Sequence, residues 1–240
     1  MDETKERGVV DPGHGGPDPG AVDPIEQWDG DMIATKEEDI TLDIGLRVAE
    51  LLRPVFQVDM TRTDDTALAD WRADLVRRAR MGDGAAWFVS IHLNSSDKPQ
   101  AHGTETYYPT GSQEGKALAE AIQRRLVATL GRYDRKVKEA DFAVLQTGAK
   151  AAALVEVCFM SNSQEEGLIN QPEVREKVAR AIAQGICDYA RIVGVRIIAR
   201  RDVLYGENIN DRAYAPVRKL AEALGQEVEW DANTNTVVVK

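Results

Sequence analysis

The chain has 240 residues, 43% of them hydrophobic and 29% charged, and a formal net charge of −10. That size allows one sizeable core and a small appendage, and the composition belongs to a globular protein, not to a disordered or low-complexity chain. The acidic balance argues against general nucleic-acid binding, which rests on a basic surface, and apolar runs such as 88–91 and 151–155 are far too short for membrane insertion.

The opening stretch 1–7 is polar and carries no apolar core, so it does not read as a signal peptide. Gly8 to Val10 ends a short strand that runs into Asp11-Pro-Gly-His-Gly-Gly16, and a Pro/Gly/Asp-rich loop continues to about Lys36. Ile40, Ile44, Val48 and Leu51 recur at helical spacing over 38–52, and Pro54 stops that helix. Val55 to Thr61 reads as a strand, Asp70 to Met81 as a helix and Trp87 to His92 as a strand. A strand at 105–108 and a helix at 115–130 follow. Ala152 to Phe159 is apolar except for Glu156, the pattern of a buried central strand. Val174, Val178, Ile182 and Ile186 mark a last long helix over 173–192. Helices alternating with short apolar strands predict an α/β fold, with a mostly parallel central sheet flanked by helices.

After Gly194 the pattern changes to a small α+β unit. It has a strand at 195–199, a helix at 214–224 and a hairpin of 227–230 with 236–239 across Asp231 to Asn235. The predicted domains are therefore 1–193 and 194–240. Cys158 and Cys187 sit in apolar contexts and read as buried free thiols.

Four segments carry chemistry: His14 in its Gly/Pro loop, Glu37-Glu38-Asp39 at a helix start, His92 in Ser90-Ile-His-Leu-Asn94, and Glu156 inside an apolar strand. Parallel α/β sheets build sites outside the carboxyl ends of their strands, which lets His14, His92 and Glu156 converge. Two imidazoles and a carboxylate are the ligand set of a catalytic zinc with one position open to water. A further carboxylate then serves as general base, and Glu156 is the natural candidate, because a lone Glu among apolar neighbours is costly to bury. Each residue has a plainer reading by itself: a structural His, a helix-start carboxylate favoured by the macrodipole, a buried partner for an Arg. The ligands do not form a compact motif, so spacing alone leaves a zinc hydrolase as one reading among these.

The segments resemble the zinc-dependent N-acetylmuramoyl-L-alanine amidases of the type 3 family. The resemblance rests on Asp11-Pro-Gly-His-Gly-Gly-Pro-Asp-Pro-Gly-Ala21, Glu37-Glu-Asp-Ile-Thr-Leu42, Thr61-Arg-Thr-Asp64, Ser90-Ile-His-Leu-Asn94, Gly103-Thr-Glu-Thr-Tyr-Tyr108 and Leu154-Val-Glu-Val-Cys-Phe-Met-Ser-Asn162. It spans about residues 8–189 in order. It implies Zn2+ as cofactor, His14, Glu37 and His92 as its ligands, Glu156 as the catalytic carboxylate, and peptidoglycan as substrate, cut between N-acetylmuramic acid and L-alanine. Glu38 competes with Glu37, and the alignment of Ile40 and Leu42 with the family's apolar positions favours Glu37. Asn94 and Asp141 are candidate substrate contacts, with fold-supporting hydrogen bonds as the alternative.

The chain departs from the family pattern in a shortened first strand and in a longer loop over 22–36 that carries Trp28, a residue suited to loop packing or to stacking on a sugar or peptide. His102 lies where the family places no ligand and reads as a rim residue. The tail, Ile209 to Gly225 with Val228 to Asp231 and Thr236 to Val239, resembles the small domain named after the copper amine oxidase N-terminus. It contains no His or Cys to hold copper, and the resemblance implies wall binding, with a packing or dimerising module as the alternative. Taken together, these readings predict a peptidoglycan hydrolase of the phage endolysin type, reaching the wall from a host cytoplasm. An exported autolysin whose leader has been removed, and a non-catalytic wall-binding protein on the same scaffold, are the alternatives.

Overall fold

A computed structural model describes residues 5–22, 35–67 and 70–190, and beyond these the backbone of six strands between 196 and 239. The chain divides into two compact units, Met1–Tyr189 and Ala190–Lys240.

The first unit is built on six strands: β1 (Arg7–Pro12), β2 (Gln57–Met60), β3 (Trp87–Asn94), β4 (Thr104–Tyr108), β5 (Asp134–Glu139) and β6 (Ala151–Phe159). Their order across the sheet is β2-β1-β3-β6-β4-β5. All neighbours run parallel except β4 against β6, so the mostly parallel sheet predicted from the alternating pattern is what forms. β6 lies in the middle, as its apolar run demands. The first strand is not cut short, because it extends through Asp11 and Pro12, pairing Asp11 with Ser90 and Pro12 with Ile91.

Five helices flank the sheet: α1 (Glu37–Leu52), α2 (Trp71–Met81), α3 (Gln113–Leu130), α4 (Ser163–Ile169) and α5 (Pro172–Tyr189). Their starts follow from local chemistry. The side chains of Asp70, Ser112 and Asn162 accept hydrogen bonds from free N–H groups at the starts of α2, α3 and α4, and Pro172 begins α5, where no N–H is needed. α5 packs against both α1 and α3, close enough that a Cβ on Gly185 would sit 2.5 Å from the Ile122 backbone. On the other face, Val9, Phe88, Ala152 and Leu154 pack with Val144 and Leu145 of a single 3-10 turn, and Leu75 of α2 lies against them. Strand residues alternate between faces, so Phe88, Ser90 and His92 share a face that begins apolar and turns polar toward the carboxyl end of the sheet.

The predicted helix over 173–192 is observed to Tyr189. Its last two residues, 191 and 192, lie outside the described residues, as do Trp28 and most of the loop carrying it. The base of that loop is closed by an antiparallel bridge between Val22 and Lys36. Both cysteines are buried, as their apolar contexts predict. Among the described residues, no helix is long and apolar enough to cross a membrane.

In the second unit β7 (Arg196–Ala199) pairs with β8 (Asp202–Tyr205), β9 (Glu207–Ile209) with β10 (Arg212–Tyr214), and β11 (Val228–Asp231) with β12 (Thr236–Val239), each antiparallel. The last pair is the predicted hairpin, with its first strand one residue later than expected and its second where expected. Tyr214 ends a strand, where the sequence predicted the start of a helix, and the remainder of that helix lies outside the described residues.

Candidate metal centre

Three side chains from separate segments meet at the carboxyl ends of β1 and β3. His14 stands in the loop after β1, Glu37 opens α1, and His92 lies near the end of β3. His14 Nε2 is 3.1 Å from Glu37 Oε1, His92 Nδ1 is 3.1 Å from the same oxygen, and the two ring nitrogens are 3.2 Å apart. A tetrahedral ion with nitrogen and oxygen ligands at about 2.0–2.2 Å holds those atoms about 3.3–3.5 Å from one another. A slight widening of this triangle therefore seats such an ion, and two imidazoles with a carboxylate suit zinc chemically.

The local sequence holds each ligand in place. His14 has φ 62, a left-handed conformation uncommon outside glycine. Two buried arginines fix it by gripping the loop carbonyls: Arg62 donates to the oxygens of Pro12 and Gly13, and Arg78 to those of Pro12 and His14. Arg78 in turn pairs with buried Asp11 and Asp74. Asp11 also accepts from Thr61 and Ser90, which ties the loop to β3 and to the residue after β2. A Cβ on Gly13 would sit 2.3 Å from the His92 ring, and one on Gly20 would sit 2.6 Å from both Glu37 and His14. Those two glycines leave room for the ligands.

Outer contacts set which atoms face inward. His14 Nδ1 lies 2.9 Å from Asp18 Oδ2, which holds that nitrogen protonated and leaves Nε2 as the one turned toward Glu37 and His92. Glu37 accepts from the N–H groups of Leu93 and Ala21. Its neighbour Glu38 is turned away toward Lys36. Of the two competing carboxylates, Glu37 is therefore the one gathered with the imidazoles.

The field of this cluster favours positive charge. Burial opposes the charged form of His14, but Glu37 and Asp18 outweigh it and raise the pKa to about 9. Burial likewise works against ionised Glu37, and hydrogen bonds and attraction from both imidazoles override it, so its pKa is lowered.

Glu156 lies beside His92 in the β3–β6 register. Its Oε2 is buried with no hydrogen-bond partner among the described residues. Burial, reinforced by the charges of Glu37 and Glu105, pushes its pKa well above the ordinary carboxylate value. A carboxylate of raised basicity, with one oxygen buried and unpaired beside the candidate metal cluster, is suited to accept and return a proton.

The other candidates lie further out. The Asn94 amide donates to Glu105 Oε1 and its carbonyl accepts from Ser95 N–H, both fold-supporting bonds. Asp141 is exposed in the loop after β5. His102 is exposed too, with Nδ1 2.9 Å from the Gln100 carbonyl oxygen and its ring tilted against Tyr133. Asp18, four residues after His14 in the quoted signature, received no role in the sequence reading, and neither did Glu105. The i,i+4 placement of Asp18 was the available signal for the first; for the second there was none short of strand register.

This fold and this gathering of side chains define an α/β protein with a candidate metal site at the carboxyl ends of its central strands. The chain belongs to the N-acetylmuramoyl-L-alanine amidase family, whose profile matches residues 9–188. A second profile, the copper amine oxidase N-terminal domain, matches residues 204–240. The N-acetylmuramoyl-L-alanine amidase LytC of Bacillus subtilis is 36% identical over 185 residues, 76% of this chain but 35% of LytC, so the chain spans about a third of that relative. The germination-specific N-acetylmuramoyl-L-alanine amidase of the same organism is 34% identical, over 75% of this chain and 78% of its own length. The solved CwlD amidase of Clostridioides difficile, in complex with the GerS lipoprotein, superposes with a TM-score of 0.70 at 31% identity, covering 78% of this chain and 100% of that one.

Proposed function

We propose that this chain hydrolyses the amide between N-acetylmuramic acid and L-alanine in peptidoglycan, with Zn2+ held by His14, Glu37 and His92. The observation that carries the proposal is the convergence of those three ligand atoms within 4.8 Å of one another, beside a buried carboxylate on the next strand, in a chain of this family. When bound, zinc supplies Lewis acidity toward a carbonyl and makes water a stronger acid.

The chain's own residues account for the remaining steps. Glu156 accepts the proton of the attacking water as its oxygen bonds to the carbonyl carbon. As the carbon–nitrogen bond breaks, Glu156 returns that proton to the alanine nitrogen, which leaves as a free amine. The glycan keeps the new carboxylate. Asp18 fixes the orientation of His14, and the Leu93 and Ala21 amides fix the Glu37 carboxylate, so the ligands are held close to the geometry they need.

The test is release of amino groups from purified peptidoglycan. Untreated chain, chelated chain, chelated chain restored with zinc, and Glu156→Ala are compared. Activity is expected to vanish on chelation, return with zinc, and fall by about 10²–10⁴-fold in the variant, with zinc still bound and L-alanine as the new amino terminus. Binding to the wall with no amine released, at full zinc occupancy, would make the chain a wall-binding protein instead.

A further inference from the structure

Register places a row of charged groups across one sheet face: His92 on β3 beside Glu156 on β6, and Glu156 beside Glu105 on β4. Beyond Glu105, on β5, come Arg135 and Lys138. Glu105 is buried, its side chain only 3% exposed, and its Oε2 takes Arg135 Nε at 2.8 Å and also Lys138 Nζ. Its Oε1 accepts from Tyr107 and Asn94.

Residues three apart on a regular strand face opposite sides. Arg135 and Lys138 nevertheless share one oxygen, because β5 carries an extra residue. Thr104 and Thr106 of β4 oppose Asp134 and Val137 of β5, and Lys136 between them takes φ 71. A bulge with a lysine in the left-handed region costs local backbone energy, and bulges of this kind re-aim side chains beside functional sites.

The arrangement holds more positive charge than Glu105 needs, since one carboxylate balances one of two cations. Arg135 meets Glu105 through Nε alone. Its guanidinium lies over the Phe159 ring, 4.8 Å from the centroid, and among the described residues its two terminal nitrogens make no hydrogen bond. With Arg135 31% and Lys138 39% exposed, a guanidinium held flat in this way is set to receive a carboxylate through paired N–H donors.

We infer that Arg135 and Lys138 form a subsite for a carboxylate on the peptide of the muramoyl-peptide substrate. The inference rests on the amidase reading. Two strand spacings separate β5 from β6, roughly 10 Å, which an extended peptide covers in about three residues. The carboxylate recognised is therefore some residues along the peptide, not the one formed on the glycan at the reaction centre.

The experiment uses the full chain with zinc and two soluble substrates: an N-acetylmuramoyl peptide with free carboxylates, and the same molecule with them amidated. Wild type should prefer the free acid by about tenfold in kcat/KM, the value of a charge-assisted pair at a half-exposed site. Arg135→Gln should remove that preference through KM, and Arg135→Lys should restore part of it. Lys138→Gln, which leaves Arg135 on Glu105, serves as a second variant, and thermal melting of each is recorded alongside. A wild type that does not discriminate, or an Arg135→Gln that loses activity equally on both substrates as a structural role would dictate, overturns the subsite. So does inhibition by N-acetylmuramic acid that Arg135→Gln relieves, since that puts the carboxylate on the sugar side. If wild type releases no alanine amino terminus from either substrate, the amidase reading fails. The subsite is then decided separately by calorimetric binding of the acid and amide forms, which needs no hydrolysis.

Discussion

Two of the three candidate ligands, His14 and Glu37, are held by neighbours outside the cluster. His14 shows this most directly: its ring is aimed by Asp18, 2.9 Å from Nδ1, and its backbone is held at φ 62 by arginines bonded to loop carbonyls. Removing the charge of Asp18 while keeping its shape weakens the hold on the His14 tautomer. Asp18→Asn is therefore expected to lower zinc affinity by about 10–100-fold with little change in melting temperature of the metal-free chain, because Asp18 is half exposed. Zinc titration by calorimetry, with a melt in chelator, checks both halves. The ligand positions were legible in the sequence because they sit in contiguous, distinctive segments. Glu37 was separable from Glu38 only by resemblance, since nothing in two adjacent glutamates says which one faces inward. The structure shows the physical difference: one carboxylate accepts from the Leu93 and Ala21 amides, the other from Lys36.

At the scale of elements, α2 braces the site from outside it. Arg78 reaches from α2 to Asp11 on β1 and to the carbonyls of Pro12 and His14. Its side chain is 3% exposed and that of Asp11 1%. Breaking a buried pair from one side leaves an uncompensated charge, so Arg78→Met should cost about 3–5 kcal/mol, read as a lowered urea midpoint, and should weaken zinc binding through His14. A second inter-element contact is electrostatic and weaker. Asp188 of α5 accepts from Arg125 of α3 through both oxygens. Burial alone would raise the Asp188 pKa, but Arg125 and then Arg124 outweigh it and lower it. A carboxylate depressed in the folded state stabilises above its unfolded pKa, about 3.9, and loses that contribution as pH falls through the folded value. Asp188→Asn should therefore cost at most about 1 kcal/mol at pH 7, given the exposure of Arg125, and the gap to wild type should close as pH drops below about 4. Denaturant curves at several pH values measure this directly.

The long apolar-periodic helices and the central strand β6 were readable from spacing. β5 was not, because Asp134-Arg-Lys-Val-Lys-Glu139 is nearly all charged and owes its strand form to pairing with β4. α4 is only seven residues long, too short for a period to show. Neither the antiparallel direction of β4 nor the bulge at Lys136 leaves any local mark. That is why Glu105, Arg135 and Lys138 came to light only in three dimensions.

At the scale of the molecule, the two family matches fall on either side of the boundary between the two units. Every residue assigned to hydrolysis lies between His14 and Glu156, inside Met1–Tyr189, and the amidase profile ends at residue 188. The second unit holds no His or Cys; its described strands form three antiparallel pairs, and a different family matches residues 204–240 of it. With a net charge of −10, the chain gains no long-range attraction to an anionic wall. We propose that retention on insoluble substrate comes from specific contacts made by the second unit. A chain ending at Tyr189 should hydrolyse a soluble muramoyl peptide with kcat/KM within about twofold of the full chain, since it keeps the transition-state contacts. On insoluble peptidoglycan the same truncation should lower the sedimenting fraction and slow amine release about tenfold or more, through the loss of a tethering contact that raises local concentration. Equal losses on soluble and insoluble substrates, accompanied by a lower melting temperature, would instead make the second unit a structural support for the first.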